Sequence, residues 1–294
     1  MVVAPLIVGL LLAAALMHAT WNALLKSDRS DRLATFGLIM TTGTIMGACV
    51  VPFVPMIDPA AWKFMALSVV VHLAYYACLL KAYSYGDLSH TYPIARGLGP
   101  LLVALVSGQL IGEHLRVQDI MGVVLLSGGL VALALPLKNV VPKPGGRHGL
   151  ATLFAVMTGF TIAGYILADG MGVRAAGPDF AHRLSYIAWL SVVEGPWLLV
   201  LAIVLRPQTV WAHLRRSWWR GVIGGAIANV GYGIAIYALV LGPMAHVAAL
   251  RETSVLFGTL IGTLLLAEPF GGRRVVAAFV IVSGLVLMNG PAFF

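Results

Sequence analysis

Four charged residues stand inside long apolar runs of this sequence: Arg96, Glu194, Arg251 and Glu252. On insertion scales a charge at the centre of a membrane helix costs about 2.5–3.5 kcal/mol, so such side chains turn to a bundle interior or a water-filled cavity. Two readings are open for the arginines. Each offers a planar fork to a substrate carboxylate, or each pairs with Glu252 or Glu194 and locks helices together. Glu194, beside Gly195-Pro196, is either a proton-coupling carboxylate or a polar cross-link.

Uncharged groups accompany them. His18, Trp21 and Asn22 fall at i, i+3 and i+4 and share one helix face, as do His72 and Tyr76, with Tyr83 two turns on, and Asn229 and Tyr232. Tyr165 takes in the second half the place of Trp21 in the first, and Tyr92 stands one turn before Arg96. Together they describe an aromatic-walled cavity with scattered hydrogen-bond donors, suited to an amphipathic or cationic solute. Aromatics also form interfacial belts, the role expected of Trp218 and Trp219. His90 and His246 begin two related helices, as proton relays or as helix-end hydrogen bonds. Pro93 and Pro100 flank Arg96 and predict a kink or local break, because proline removes a backbone donor. Glu113 and Glu268 read as structural helix-end groups. Cys49 and Cys78, without metal or disulfide spacing, read as buried small hydrophobes. No catalytic, metal or cofactor set is expected.

The elements that must hold these residues are legible from composition. Of 294 residues, 60% are hydrophobic and 10% charged, against roughly 25% charged in a soluble domain. So little charge cannot cover a globular surface, and lipid is the expected solvent. Spans of ~20 apolar residues are placed near 5–25, 33–54, 62–83, 88–111, 116–136, 148–170, 181–205, 217–241, 244–267 and 273–291. The expected fold is all-α integral membrane, with ten transmembrane helices. The net charge of +8 sits in short inter-span clusters and implies no nucleic-acid partner.

The Pro-, Gly- and Lys-bearing stretch 137–147 divides the chain into halves 1–136 and 148–294. Gly86–Leu133 aligns with Gly242–Met288 after one deletion, setting His90 on His246, Arg96 on Arg251 and Glu113 on Glu268, while Tyr76 pairs with Tyr232. Five spans per half make the second copy enter the membrane from the opposite side. The result is two inverted-topology repeats of five around a central cavity, an arrangement secondary transporters use. Lys and Arg favour the odd-numbered loops, thirteen from Lys26 to Arg274, over the even-numbered ones, with Lys63, Arg116, Arg174 and Arg183. The positive-inside rule then puts both termini on the non-cytoplasmic side. A bacterial inner membrane fits the compact loops.

The run GEHLRVQDIMGVVLLSGGLVAL, residues 112–133, resembles the repeated signature of the drug/metabolite transporter superfamily, EamA type. AEPFGGRRVVAAFVIVSGLVLM, residues 267–288, resembles its second copy, with Ala267 where Gly is usual, and HATWNALLK, residues 18–26, is similar to the family's first helix. The resemblance covers essentially the whole chain. It implies two five-helix bundles around a cavity and export of small metabolites, amino acids among them. YPIARGLGP, residues 92–100, faces HVAALRETS in the second half, so the halves are not equivalent.

The leading expectation is a secondary transporter, an exporter of amino acids or related amphipathic compounds by alternating access, not an enzyme. An intramembrane enzyme and a non-transporting scaffold or receptor are the alternatives. The first needs a convergent catalytic set, and no HExxH, GxSxG or paired aspartates occur. The second has no need of Arg96 and Arg251 at membrane depth. Partners are a small-molecule substrate and the bilayer; monomer and dimer both remain open.

Overall fold

The computed structural model describes residues 4–27, 31–86, 88–134, 147–266 and 272–293. Among them no strand occurs. The helices are α1 (Pro5–Ser27), α2 (Arg32–Val50), α3 (Pro59–Tyr85), α4 (Leu88–Ile111), α5 (Val117–Ala134), α6 (His148–Ala175), α7 (Phe180–Glu194), α8 (Trp197–Leu205), α9 (Pro207–Leu241), α10 (Met244–Arg251), α11 (Ser254–Leu266) and α12 (Gly272–Phe293). Seven helical stretches among the described residues are long and apolar enough to cross a membrane, and Val117–Leu133 and Arg274–Gly290 are shorter apolar helices. Large apolar side chains point outward, with Phe53, Val204 and Phe279 at least 72% exposed. Lipid accepts such a surface where water does not.

Local chemistry sets the helix starts. Asp31 caps α2, its Oδ1 accepting the backbone N–H of Leu33 and Ala34, each at 3.1 Å. Asp58 accepts Ala60 N–H at 2.8 Å, with Pro59 in the first turn of α3, where its missing donor costs nothing. Asp179 caps α7 through His182 N–H at 3.0 Å. Gly112 closes α4 at φ +69°, a conformation glycine adopts without steric cost.

Five expectations change. α4 runs unbroken through Pro93 and Pro100; the bundle around it holds the helix where the prolines withdraw two hydrogen bonds. The seventh span divides instead, into α7 and α8 at Gly195-Pro196. The ninth divides into α10 and α11: Glu252 and Thr253 turn tightly, their N–H groups bonding Ala249 and Leu250 carbonyls three residues back. The eighth span begins ten residues early, and at 35 residues α9 is ~52 Å long, far more than the hydrocarbon core. The sixth extends to Ala175, which carries Asp169 inside the helix rather than to its edge.

Packing is close where side chains are small. α3 and α4 lie against α6, α1 and α2 against α9, and α5 against both α4 and α12. At the α5–α12 crossing, a Cβ built on Gly284 would stand 2.5 Å from the Gly122 carbonyl oxygen. In lipid, where hydrophobic burial gives helices no reason to associate, such van der Waals contact holds the bundle. Gly47 meets the Ala188 carbonyl and Gly225 the Ile39 carbonyl equally closely, whereas Gly258 faces open space. Cys78 is buried as expected, but Cys49 is exposed on the outer face of α2, because the α2 stripe that packs inward lies on the other side. Trp218 and Trp219 are exposed on α9.

Candidate functional site

Eight helices contribute to one pocket between them: α1 through His18 and Trp21, α2 through Phe36, α3 through His72 and Tyr76, α4 through Arg96, α6 through Tyr165, α7 through Glu194, α9 through Asn229 and Tyr232, and α10 through Arg251. The broken helices aim at it. α10 ends on Arg251, α7 ends on Glu194, and each break turns a charged helix terminus inward.

The aromatic wall is continuous. His18 packs edge-on to Trp21 at 5.2 Å, Trp21 stacks on Phe36 at 5.8 Å, and Phe36 meets Tyr76 edge-on at 5.7 Å. The row continues from Tyr76 to Tyr75 at 5.3 Å, Tyr75 packs edge-on to Tyr165, and His72 stacks on Tyr165 with ring centroids 4.2 Å apart.

The two arginines part company. Arg96 takes the pairing alternative: its Nε lies 2.8 Å from Glu252 Oε2, and its Nη2 donates to Ser254 Oγ at 3.1 Å. Arg251 lines the pocket with its guanidinium carbon 5.1 Å from the Tyr232 ring centroid, and makes no ion pair with a described carboxylate. Glu194 also faces the pocket. Its Oε1 accepts the Tyr76 phenol at 2.5 Å, and Oε2 lies 3.8 Å from His72 Nδ1. Asn229 donates to Ser191 Oγ at 2.9 Å. A cation and a carboxylate thus share one aromatic chamber without being each other's partner.

Other candidates sit outside the lining. Asn22 turns back on its own helix, Nδ2 donating to the His18 carbonyl at 2.8 Å. Tyr92 lies behind Arg96, ring centroid 5.8 Å from the guanidinium carbon. Glu252 is buried under Arg96. Tyr83 lies further along α3 than the lining residues. His246 is buried beside α5, Nε2 3.3 Å from Asp119 Oδ1, and Asp119 is gripped by Arg116. His90 faces Thr152 Oγ1 at 3.0 Å. Glu113 accepts Met244 N–H at 2.9 Å at the start of α10 and pairs with Arg174 at 3.2 Å, the structural role its helix-end position implied. Glu268 lies outside the described residues.

Sequence reading missed Asp169. Its Oδ2 accepts the Tyr232 phenol at 2.6 Å, and Tyr186 reaches Oδ1 at 3.3 Å. The signal was present: Asp169 is four residues from Tyr165 and shares its face. Phe36, Tyr75 and Ser191 were missed as well.

A many-helix membrane protein whose buried charges converge on an aromatic pocket is built to hold a solute at membrane depth. The model of the EamA-like transporter family matches residues 5–135 and 149–290, and the chain belongs to that family. It is therefore a membrane transporter of small molecules, within the drug/metabolite transporter superfamily. An uncharacterized protein of Pseudomonas aeruginosa, PA1977, is 28% identical over 92% of this chain and 88% of its own length. The chloroplastic WAT1-related protein At3g02690 of Arabidopsis thaliana is 23% identical over 65% of the chain, which spans 46% of that protein. A protein crystal structure with 18% identity matches the fold at a TM-score of 0.71, covering 98% of this chain and 96% of that one.

Proposed function

We propose that this chain is a secondary transporter that exports amino acids or closely related amphipathic metabolites by alternating access. The observation that carries the reading is Arg251, a cation in the pocket that forms no ion pair with a described carboxylate. A substrate carboxylate supplies the missing partner through a bidentate fork. Glu194, on α7 in the same chamber, receives the substrate ammonium, and the ring wall from Trp21 to Tyr76 covers the side chain. Tyr232 lies under Arg251 and beside His72, which itself stands 3.8 Å from Glu194.

The transport cycle rests on ten spans arranged as two inverted repeats, residues 1–136 and 148–294. Three features support that division. The family model matches the chain as two segments that meet at this boundary. The packing is reciprocal, since α3 and α4 flank α6 much as α9 and the α10–α11 pair flank α1. Arg96 and Arg251, equivalent by alignment, reach the same pocket. Discontinuous helices whose ends face a midplane site are a recurrent transporter device. Rocking one half against the other exposes the pocket alternately to each side. The charge bias of the loops orients both termini to the non-cytoplasmic side of a bacterial inner membrane.

The test is exchange of a labelled amino-acid and metabolite panel by purified protein in proteoliposomes, with and without a pH gradient. Saturable movement of amino acids supports the reading. No movement of any panel member by folded protein rejects it.

A further inference from the structure

We infer that Asp169, Tyr232 and His72 form a proton-holding site behind the substrate pocket, in which one proton passes between imidazole and carboxylate through the Tyr232 hydroxyl. The inference rests on the transporter reading above and adds the coupling ion to it.

Hydrogen counting carries the argument. A phenol has one hydrogen to donate and an oxygen that also accepts. Tyr232 Oη lies 2.6 Å from Asp169 Oδ2 and 3.2 Å from His72 Nε2. When Asp169 is ionised it takes the phenolic hydrogen, and Tyr232 oxygen is left to accept from His72 Nε2–H. His72 Nδ1 lies 3.0 Å from the Ser68 carbonyl oxygen, which only accepts. Both imidazole nitrogens then carry hydrogen, and the ring is a cation facing a carboxylate. In the other state the Nε2–H bond breaks, its hydrogen bonds to Tyr232 oxygen, and the former phenolic hydrogen bonds to Asp169 Oδ2. Asp169 and His72 are then both neutral, His72 keeping its Nδ1–H. Two hydrogens have each shifted by one bond for a net transfer of one proton, each heavy atom has stayed in place, and no co-reactant is needed.

The surroundings fit such a device. Asp169 and His72 are 1% and 4% exposed, so bulk water does not settle their charge. Ser68, on the same helix as His72, lies 3.2 Å from Nδ1 and also reaches Asp169. Tyr165 of α6 stacks on the imidazole, and Tyr76 of α3 packs beside it. From α7, Glu194 stands 3.8 Å from Nδ1 and Tyr186 bonds Asp169. From α10, Arg251 lies over the Tyr232 ring. His72 lines the pocket and Asp169 does not, so a proton enters from the chamber at His72 and is stored behind it. Tyr232 carries the coupling, because the ring beneath the substrate-binding arginine bears the hydroxyl that relays the proton.

Two measurements separate this inference from the substrate assignment. In proteoliposomes, amino-acid counterflow without a pH gradient reads substrate handling alone, and accumulation driven by a pH gradient reads coupling. Wild type is expected to do both. Asp169→Asn is expected to keep counterflow and to lose gradient-driven accumulation. Accumulation at the wild-type level in Asp169→Asn, or a wild type that counterflows yet ignores the gradient, overturns the inference and leaves the substrate assignment standing. Infrared difference spectra between acid and alkaline buffer need no substrate. Wild type is expected to show a protonated-carboxyl band absent from Asp169→Asn and displaced along the pH axis in Tyr232→Phe. A Tyr232→Phe spectrum that follows pH as wild type does overturns the shared proton, even where no amino acid moves.

Discussion

Arg96 and Glu252 form an ion pair of 2.8 Å with side chains only 5% and 2% exposed, joining α4 to the break between α10 and α11. Removing one partner of a buried pair leaves the other charge uncompensated, at a cost of ~3–5 kcal/mol. Arg96→Gln and Glu252→Gln each lower the thermal midpoint of the detergent-solubilised protein. The double variant loses much less than the sum, since neither charge is then stranded. Additive losses across this cycle contradict the pair.

Glu113 bonds the first N–H of α10 and Arg174, and none of these three residues lines the pocket. Glu113→Ala costs about 1–3 kcal/mol in unfolding free energy, while the half-saturating substrate concentration stays at the wild-type value. Thermal unfolding and transport kinetics on one preparation check both halves of the expectation.

Helix contact sets a third test. A Cβ on Gly122 meets the Gly284 carbonyl at 2.6 Å, whereas Gly128 has nothing within 4 Å. Gly122→Ala forces α5 and α12 apart and lowers the melting temperature. Gly128→Ala, on the same helix, leaves it unchanged or raises it, since alanine is the better helix former. Equal melting temperatures sink the close-crossing account.

These glycines show where sequence reading reached its limit. Spans were legible because lipid leaves long apolar runs, and the seven stretches of the structure fall on runs read from sequence. Interruptions were not. Two prolines inside α4 gave a stronger break signal than Glu252-Thr253, yet only the latter breaks its helix, because neighbouring helices decide whether lost hydrogen bonds are tolerated. The close approach of Gly122 to Gly284 is a pairing visible only across helices. Arg96 and Arg251 were found by their charge alone, while their different partners depended on which faces turn inward. Asp169 was passed over because the sixth span was ended one residue after it, and helix α6 continues to Ala175.

Substrate recognition by two charged ends makes a fourth prediction. Glu194→Gln removes the group set to receive the ammonium and leaves Arg251 in place. Competition against labelled amino acid should then weaken for zwitterions by about tenfold or more, the worth of a charge-assisted bond of ~1.5–3 kcal/mol. Carboxylates lacking an amine should compete as well as before. Equal weakening of both classes contradicts the assignment of Glu194.

The central claim is that Arg251 holds the substrate carboxylate. Its most direct measurement is amino-acid counterflow in proteoliposomes holding wild type or Arg251→Gln protein, each shown to be folded by its thermal transition. The account predicts saturable wild-type exchange and, in the variant, a half-saturating concentration raised about tenfold or more by loss of the charge-assisted bond. Unchanged saturable exchange by folded Arg251→Gln protein contradicts it.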